Sequence, residues 1–260
     1  MLLAADIGNT SIKFGIFDLL DISKPICTFS LSSDASRSSD EYEFFIRQLI
    51  NLKIPEASLS SCVISSVVPS ITHTVSSALK VICNSNPFII SSGTKTGFKI
   101  KIDSPSEFGA DMVSNSAAAL SVCDGPIVIA DFGTATTLTV IDGSRNVLGS
   151  VIMPGLKVSM KALSVSAELL SSVSLNKPKN LIGKNTEDSV QSGVINGSVF
   201  MIDGFIRNIR ETVCADGSKL SLIATGGLSN VITPHLRNKF TPIDDLTLIG
   251  AAVLYKINRN

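Results

Sequence analysis

The chain has no surplus of charge of either sign: 22 Lys and Arg stand against 22 Asp and Glu in 260 residues. That balance gives no electrostatic footprint for a nucleic-acid groove or an anionic membrane surface. No apolar run approaches the ~18 uninterrupted residues that a membrane span needs. Hydrophobic residues nonetheless make up 44% of the chain and mean hydropathy is +0.37. The surplus apolar surface is therefore assigned to a well-buried sheet and an oligomer interface. The five cysteines, at 27, 62, 83, 123 and 214, lack CxxC spacing. Free thiols in a reducing compartment are the expectation. His73 and His235 stand alone, without metal-ligand spacing, and no Ser or Cys sits in a recognisable nucleophile motif. Asp6 interrupts the apolar N-terminus too early for a secretion signal, so a cytoplasmic location is expected.

What is present is a duplication. Ala5-Asp6-Ile7-Gly8-Asn9-Thr10-Ser11-Ile12-Lys13-Phe14-Gly15-Ile16 and Ala130-Asp131-Phe132-Gly133-Thr134-Ala135-Thr136-Thr137-Leu138 share one plan. Each runs from a small apolar approach into Asp-x-Gly, through a Thr-containing turn, and into a second apolar strand. Alternation predicts strands over Leu2–Asp6 and Ser11–Asp18, with further ones at Thr28–Leu31, Ser61–Val68 and Phe88–Ser91. Tyr42, Phe45, Ile46 and Leu49 form the stripe of an amphipathic helix over Ser39–Leu52, and Ser70–Ile82 and Ser106–Val122 also read as helices. The second half continues with strands Pro126–Asp131, Val147–Ile152 and Leu220–Ala224. Its helices are expected near Lys157–Leu170, Gly193–Arg210 and Thr247–Ile257, with a polar loop at Ser171–Lys184. A meander followed by alternating strands and helices indicates an α/β sheet. From the repeat, two domains are expected, 1–116 and 117–260.

The first hairpin turn carries Asp6, amide and hydroxyl donors at Asn9, Thr10 and Ser11, and Lys13. Gly8 lets backbone N–H groups approach phosphate oxygens. Lys13 can neutralise charge on a transferring phosphoryl group, and Asp6 can hold Mg²⁺ directly or through water. The G-x-x-x-x-G-K-[ST] spacing of a Walker A loop is absent. One such hairpin is equally explained by local side-chain bonds in an ordinary turn. Two copies favour a pair of hairpins that bracket a nucleotide's phosphates and its cation. Gly109-Ala110-Asp111 precedes a small-residue helix, where Asp111 can be an N-cap or a general base for a substrate hydroxyl. Thr225-Gly226-Gly227 either brings backbone to an adenine or ribose or makes an ordinary strand-to-helix turn.

Duplicated Asp-x-Gly hairpins in an α/β chain resemble the actin, hexokinase and acetate kinase superfamily. The resemblance implies two ribonuclease-H-like (actin-like) domains, each a mixed five-stranded sheet with flanking helices, and an ATP cleft between them. The motif order is more specific. Asp6-Ile7-Gly8-Asn9-Thr10, Ser65-Ser66-Val67-Val68-Pro69, Gly109-Ala110-Asp111, Asp131-Phe132-Gly133-Thr134-Ala135-Thr136-Thr137, Pro154-Gly155, Gly183-Lys184-Asn185-Thr186 and Thr225-Gly226-Gly227 together resemble type III pantothenate kinase.

That resemblance implies ATP-dependent phosphorylation of pantothenate, the first step of coenzyme A synthesis, by a homodimer using Mg²⁺ and a monovalent cation (K⁺ or NH₄⁺). Asp6, Ile7, Gly8, Asn9, Thr10, Ser11, Ile12 and Lys13 would handle ATP, with Thr134, Gly226 and Gly227 on the nucleotide as well. Asp111 would be the base, and Gly109, Ala110, Met112 and Thr186 would face the substrate. Asp131 would contribute to the monovalent cation site. Two positions depart from the family pattern: Met112 stands where an Arg is usual, and Ile102 where a Tyr is common. A lost charge-assisted contact costs roughly 1.5–3 kcal/mol. These departures leave room for a weak or inactive nucleotide-binding homologue, or a kinase for another small hydroxyl substrate.

Overall fold

A computed structural model describes residues 1–55, 57–166, 174–176, 178–215 and 217–259. The chain forms two compact units, Met1–Val122 with Asp245–Asn260, and Cys123–Asp244.

In the first unit the strands β1 (Leu2–Ile7), β2 (Ser11–Phe17), β3 (Cys27–Ser32), β4 (Ser61–Ser66) and β5 (Phe88–Ile89) form one mixed sheet. Its order is β3-β2-β1-β4-β5. β1 pairs antiparallel with β2 and parallel with β4, so the centre of the sheet is covered on both faces and reads as nearly continuous apolar sequence. Leu3, Ala5, Ile7, Ile12, Phe14, Ile16 and Ile64 face the helices α1 (Ser39–Lys53) and α2 (Pro69–Cys83), where they bury with Tyr42, Ile46, Val75 and Leu79. A capping box starts α1: Glu41 N–H donates to Ser38 Oγ, and Ser38 N–H to the Glu41 carboxylate. Pro69 starts α2 at a position where its missing N–H costs nothing.

The other face of this sheet is covered by α3 (Ala110–Val122) and the C-terminal helix α8 (Leu246–Arg259), which also pack on each other. Gly250 explains how closely they cross: a side chain there would coincide with the carbonyl of Ser114. Thr247 Oγ1 donates to Asn115 Oδ1 at 2.9 Å across the same crossing.

The second unit repeats the plan. Its strands β7 (Ile127–Phe132), β8 (Ala135–Ile141), β9 (Asn146–Pro154), β10 (Ser221–Thr225) and β11 (Thr241–Pro242) run in the order β9-β8-β7-β10-β11 within a sheet of six. Strand by strand this is the order of the first unit, with β7 in the place of β1 and β10 in that of β4. Helices α4 (Leu156–Ser166), α5 (Thr186–Gln191), α6 (Gly197–Val213) and α7 (Ser229–Ile232) belong here; the two-residue strand β6 (Lys99–Ile100) precedes α3 in the first unit. Val128, Ala130, Leu138, Val199, Ile202 and Ile206 are among the residues of the second core.

The expected class, two actin-like α/β domains with mixed sheets and flanking helices, is the observed one, but the second sheet has six strands among the described residues where five were expected. Three further details differ. The units are not bounded at 116/117: that point falls inside α3, and the last helix returns to the first unit. Ser106–Val122 is not one helix, because Pro105 opens a separate 3₁₀ turn over Pro105–Glu107 and α3 starts only at Ala110. Gly193–Arg210 begins as a π-helical segment, Ser192–Asn196, before α6. The expected end of the helix at Leu170 and the start of the 171–184 loop fall at 167–173, outside the described residues. All five cysteines are free thiols.

Candidate active site

At the end of the first hairpin, register places Asp6 between Lys13 on β2 and Ser65 on β4. Directly paired residues project to the same face, so these three form a row on the side of the sheet covered by α3 and α8. Ser65 is fully buried, and its Oγ has no hydrogen-bond partner among the described residues. Lys13 Nζ forms an ion pair with Asp245 Oδ1.

The turn itself is tight. Gly8 N–H donates to Ser11 O at 3.1 Å, while Asn9, Thr10 and Ser11 are exposed. Ser33, at the end of β3, supports it twice: its Oγ donates to Gly8 O at 2.5 Å and its N–H to Thr10 O at 3.2 Å. Ile7 and Ile12, included in the expected ATP-binding run, turn their side chains into the core. They can offer a nucleotide main-chain atoms only.

The second hairpin places Asp131 between Thr137 and Thr225. This row therefore carries oxygens where the first carries an ammonium. Thr134 is exposed at the turn. Glycines hold this turn in place. Gly155 N–H donates to Thr134 O at 3.1 Å, and a side chain at Gly155 would overlap the Gly133 and Thr134 carbonyls. Gly226 has φ +89°, and a Cβ there would lie 2.5 Å from Asp131 Oδ1 and 2.6 Å from Phe132 N. The structure thus brings Gly226 of the Thr-Gly-Gly turn against the second Asp-x-Gly, while Gly227 faces open space.

Asp111 lies in the first turn of α3, not at its N-cap, and Met112 N–H donates to its Oδ1 at 2.8 Å. Burial pushes its carboxyl above the ordinary carboxylate range, against the pull of the Met112 and Asp111 N–H groups. Gly109 has a steric reason: a Cβ there would occupy the place of Asp111 Oδ1. A cavity of about 640 Å³ opens beside this turn, lined by Gly109, Ala110, Phe108 and Val113 together with Ser66 and Val67 at the end of β4. Cavities at the carboxyl ends of parallel strands are where open α/β sheets take ligands. Met112 is partly buried and Ile102 likewise, and neither lines the cavity.

Thr186 is the exposed first residue of α5, whose N-cap is Asn185: Asp188 N–H donates to Asn185 Oδ1 at 2.8 Å. It borders a cavity of about 660 Å³ with Gly183, Lys184 and Leu163 in the second unit. Gly183 has no room for a side chain because the backbone of Ser189 lies against it.

Among the described residues no group of three or more His, Cys, Asp or Glu forms a metal cage. Mg²⁺ in phosphoryl-transfer sites is characteristically held by one or two carboxylates plus substrate phosphates. Asp6, beside the orphaned Ser65 hydroxyl, fits that mode. The all-oxygen row around Asp131 fits a hard monovalent cation.

The description of type III pantothenate kinases matches residues 2–208. The chain belongs to that family. A type III pantothenate kinase from Exiguobacterium sibiricum is 34% identical over 260 residues, covering 100% of both chains. Family members are kinases that phosphorylate pantothenate with ATP, the first step of coenzyme A biosynthesis, and this chain is accordingly an ATP-using kinase. Nothing in these likenesses favours an inactive homologue or another substrate. Among solved structures, a Campylobacter jejuni protein described as a Baf family transcriptional activator shares the fold, with TM-score 0.58 and 19% identity over 98% of each chain. A ROK family glucokinase from Streptomyces griseus, in complex with glucose and AMPPNP, shares it at TM-score 0.52 and 10% identity, over 97% of this chain and 98% of its own.

Sequence reasoning missed Ser33 and Asp245. For Asp245 a signal existed: an acidic residue just before the apolar run of α8 is a helix-start pattern. For Ser33 there was none.

Proposed function

We propose that the residues described above carry out the family reaction with the following division of labour. The primary hydroxyl of pantothenate attacks the γ-phosphorus of ATP. The new O–P bond forms as the bond to the β,γ-bridging oxygen breaks, ADP leaves, and Asp111 takes the hydroxyl proton. The first turn, Gly8 to Ser11, and Lys13 bind the ATP phosphates; Asp6 would hold Mg²⁺, which screens the phosphate charge when bound. Thr134, Gly226 and Gly227 contact the nucleotide, and Asp131 with its threonine neighbours would hold K⁺ or NH₄⁺. Gly109, Ala110 and Met112 face pantothenate, as does Thr186, and the assembly is a cytoplasmic homodimer. The observation that carries this reading is Asp111: a carboxylate with a raised pKa, held in a helix's first turn beside a cavity.

ATP consumption with pantothenate, with and without K⁺, tests it. Asp111→Asn should lower kcat by about 10²–10⁴-fold, the usual contribution of a general base. Met112→Arg should tighten pantothenate binding by about tenfold or more if the position faces the substrate carboxylate. No turnover by the wild type and none by Met112→Arg would refute the pantothenate reading. Turnover untouched by Asp111→Asn would refute the base.

The raised pKa adds a pH test. The base must be ionised, so the acid limb of kcat/KM should lie above the pH at which an ordinary aspartate titrates. The folded state holds the Asp111 proton more tightly than the unfolded chain does. Its contribution to stability therefore falls as pH rises from the unfolded to the folded pKa, and stays lower above that window. Asp111→Asn should thus be slowed as above yet at least as stable as wild type at neutral pH, measured by thermal unfolding.

A further inference from the structure

We propose that Asp245 is a positioning residue for phosphoryl transfer, holding the Lys13 ammonium over the first phosphate turn. The proposal rests on the assignment of Lys13 to the ATP phosphates. Asp245 is the residue at which the chain re-enters the first unit, and its backbone is left-handed, with φ +59°. Non-glycine residues take that conformation infrequently, Asp and Asn more readily than others. Such strain persists where surrounding structure over-determines it.

Here the surroundings are explicit. Asp245 O accepts the Ile249 N–H at 3.0 Å, which fixes it to the first turn of α8. Two residues on, Thr247 bonds to Asn115, one turn beyond Asp111 on α3. Leu248 packs so closely on β2 that a Cβ at Gly15 would lie 3.1 Å from it. The carboxylate is consequently held by the helix that crosses the Asp111 helix, and it presents its charge to the strand carrying Lys13.

A purely structural role accounts poorly for this arrangement. The Lys13 side chain is 43% exposed and that of Asp245 16%, and ion pairs open to solvent contribute little to stability. A lysine otherwise has much rotamer freedom to lose when it meets a ligand. An aspartate that fixes the ammonium beforehand removes that loss from the reaction, and the half-exposed lysine side chain remains open to a ligand.

The test uses the full chain and compares Asp245→Asn, Lys13→Met and the double variant. Asn matches Asp in shape and tolerates left-handed backbone, so Asp245→Asn removes chiefly charge. We expect it to lower kcat about tenfold, as a loss of positioning does, with the thermal midpoint nearly unchanged. The double variant should be no slower than Lys13→Met. Additive losses, an unchanged kcat, or a lower KM for ATP in Asp245→Asn would each overturn the proposal, the last because it would make Asp245 a competitor of the phosphates. If the wild type did not turn over pantothenate, the reading of the function would fail separately. AMPPNP affinity would then decide the inference. Asp245→Asn weakening binding in the Lys13 background and not in the Lys13→Met background would support it, and an equal change in both would overturn it.

Discussion

The two Asp-x-Gly hairpins occupy the same place in two sheets of the same order, yet they are held in place by different physics. Around Asp6 the neighbours are chemical: an ammonium at Lys13, an unpartnered hydroxyl at Ser65, a side-chain bond from Ser33 and an ion pair to Asp245. Around Asp131 they are steric: Gly155 and Gly226 press backbone against backbone, with threonines on either side. A side-chain bond can be lost with little disturbance elsewhere. A backbone contact without room for a methyl group cannot be altered without moving a strand. The first hairpin thus has more room for adjustment than the second, which would suit the proposed division between phosphate charge on one side and cation and nucleotide on the other.

The comparison can be broken from either side. The largest effect is expected at Gly226→Ala, which needs a disfavoured φ and drives a methyl group into Asp131 and Phe132: about 3 kcal/mol or more of lost stability, read by denaturant unfolding. Gly227→Ala, one residue away in open space, serves as its control and should stay well below that. Next comes Lys13→Met, with kcat lower by about 10²-fold if the ammonium acts on the transition state, and the fold intact. Ser33→Ala should cost about 1 kcal/mol and raise KM for ATP several-fold with kcat kept, since it loosens the turn and leaves the reacting groups in place. The smallest is Gly8→Ala: its Cβ would sit 3.3 Å from Ser11 O, a contact a slight shift relieves. Stability losses as large at Gly8 as at Gly226 would abolish the distinction.

Both hairpins were legible in the sequence because alternation, Asp-x-Gly and a following strand are local patterns. The central strands and most helices were legible for the same reason. What escaped was contact between distant segments. Ser33 and Gly8 are joined by one hydroxyl, and Asp245 and Lys13 by one ion pair, with no periodicity to announce either. The start of α3 was misplaced because Pro105 reads as a helix opening, and the 3₁₀ turn that it does open stops short of Gly109. The boundary between units was misplaced because a repeat in sequence marks where a plan restarts, and says nothing of a last helix that goes back to complete the first copy. Gly109 was legible as a motif, but its reason, room for the Asp111 carboxylate, is visible only in three dimensions.

The crossing of Gly250 over Ser114 has a consequence for how the molecule is made. One face of the first sheet, and the helix that carries Asp111, are covered by residues from the far end of the chain. During synthesis the first unit must wait, with that apolar face uncovered, until α8 leaves the ribosome. The second unit needs nothing beyond Asp244 and can close first. The middle of this chain can therefore finish folding before its beginning does, and Asp111, the proposed base, is among the last residues to reach its final surroundings.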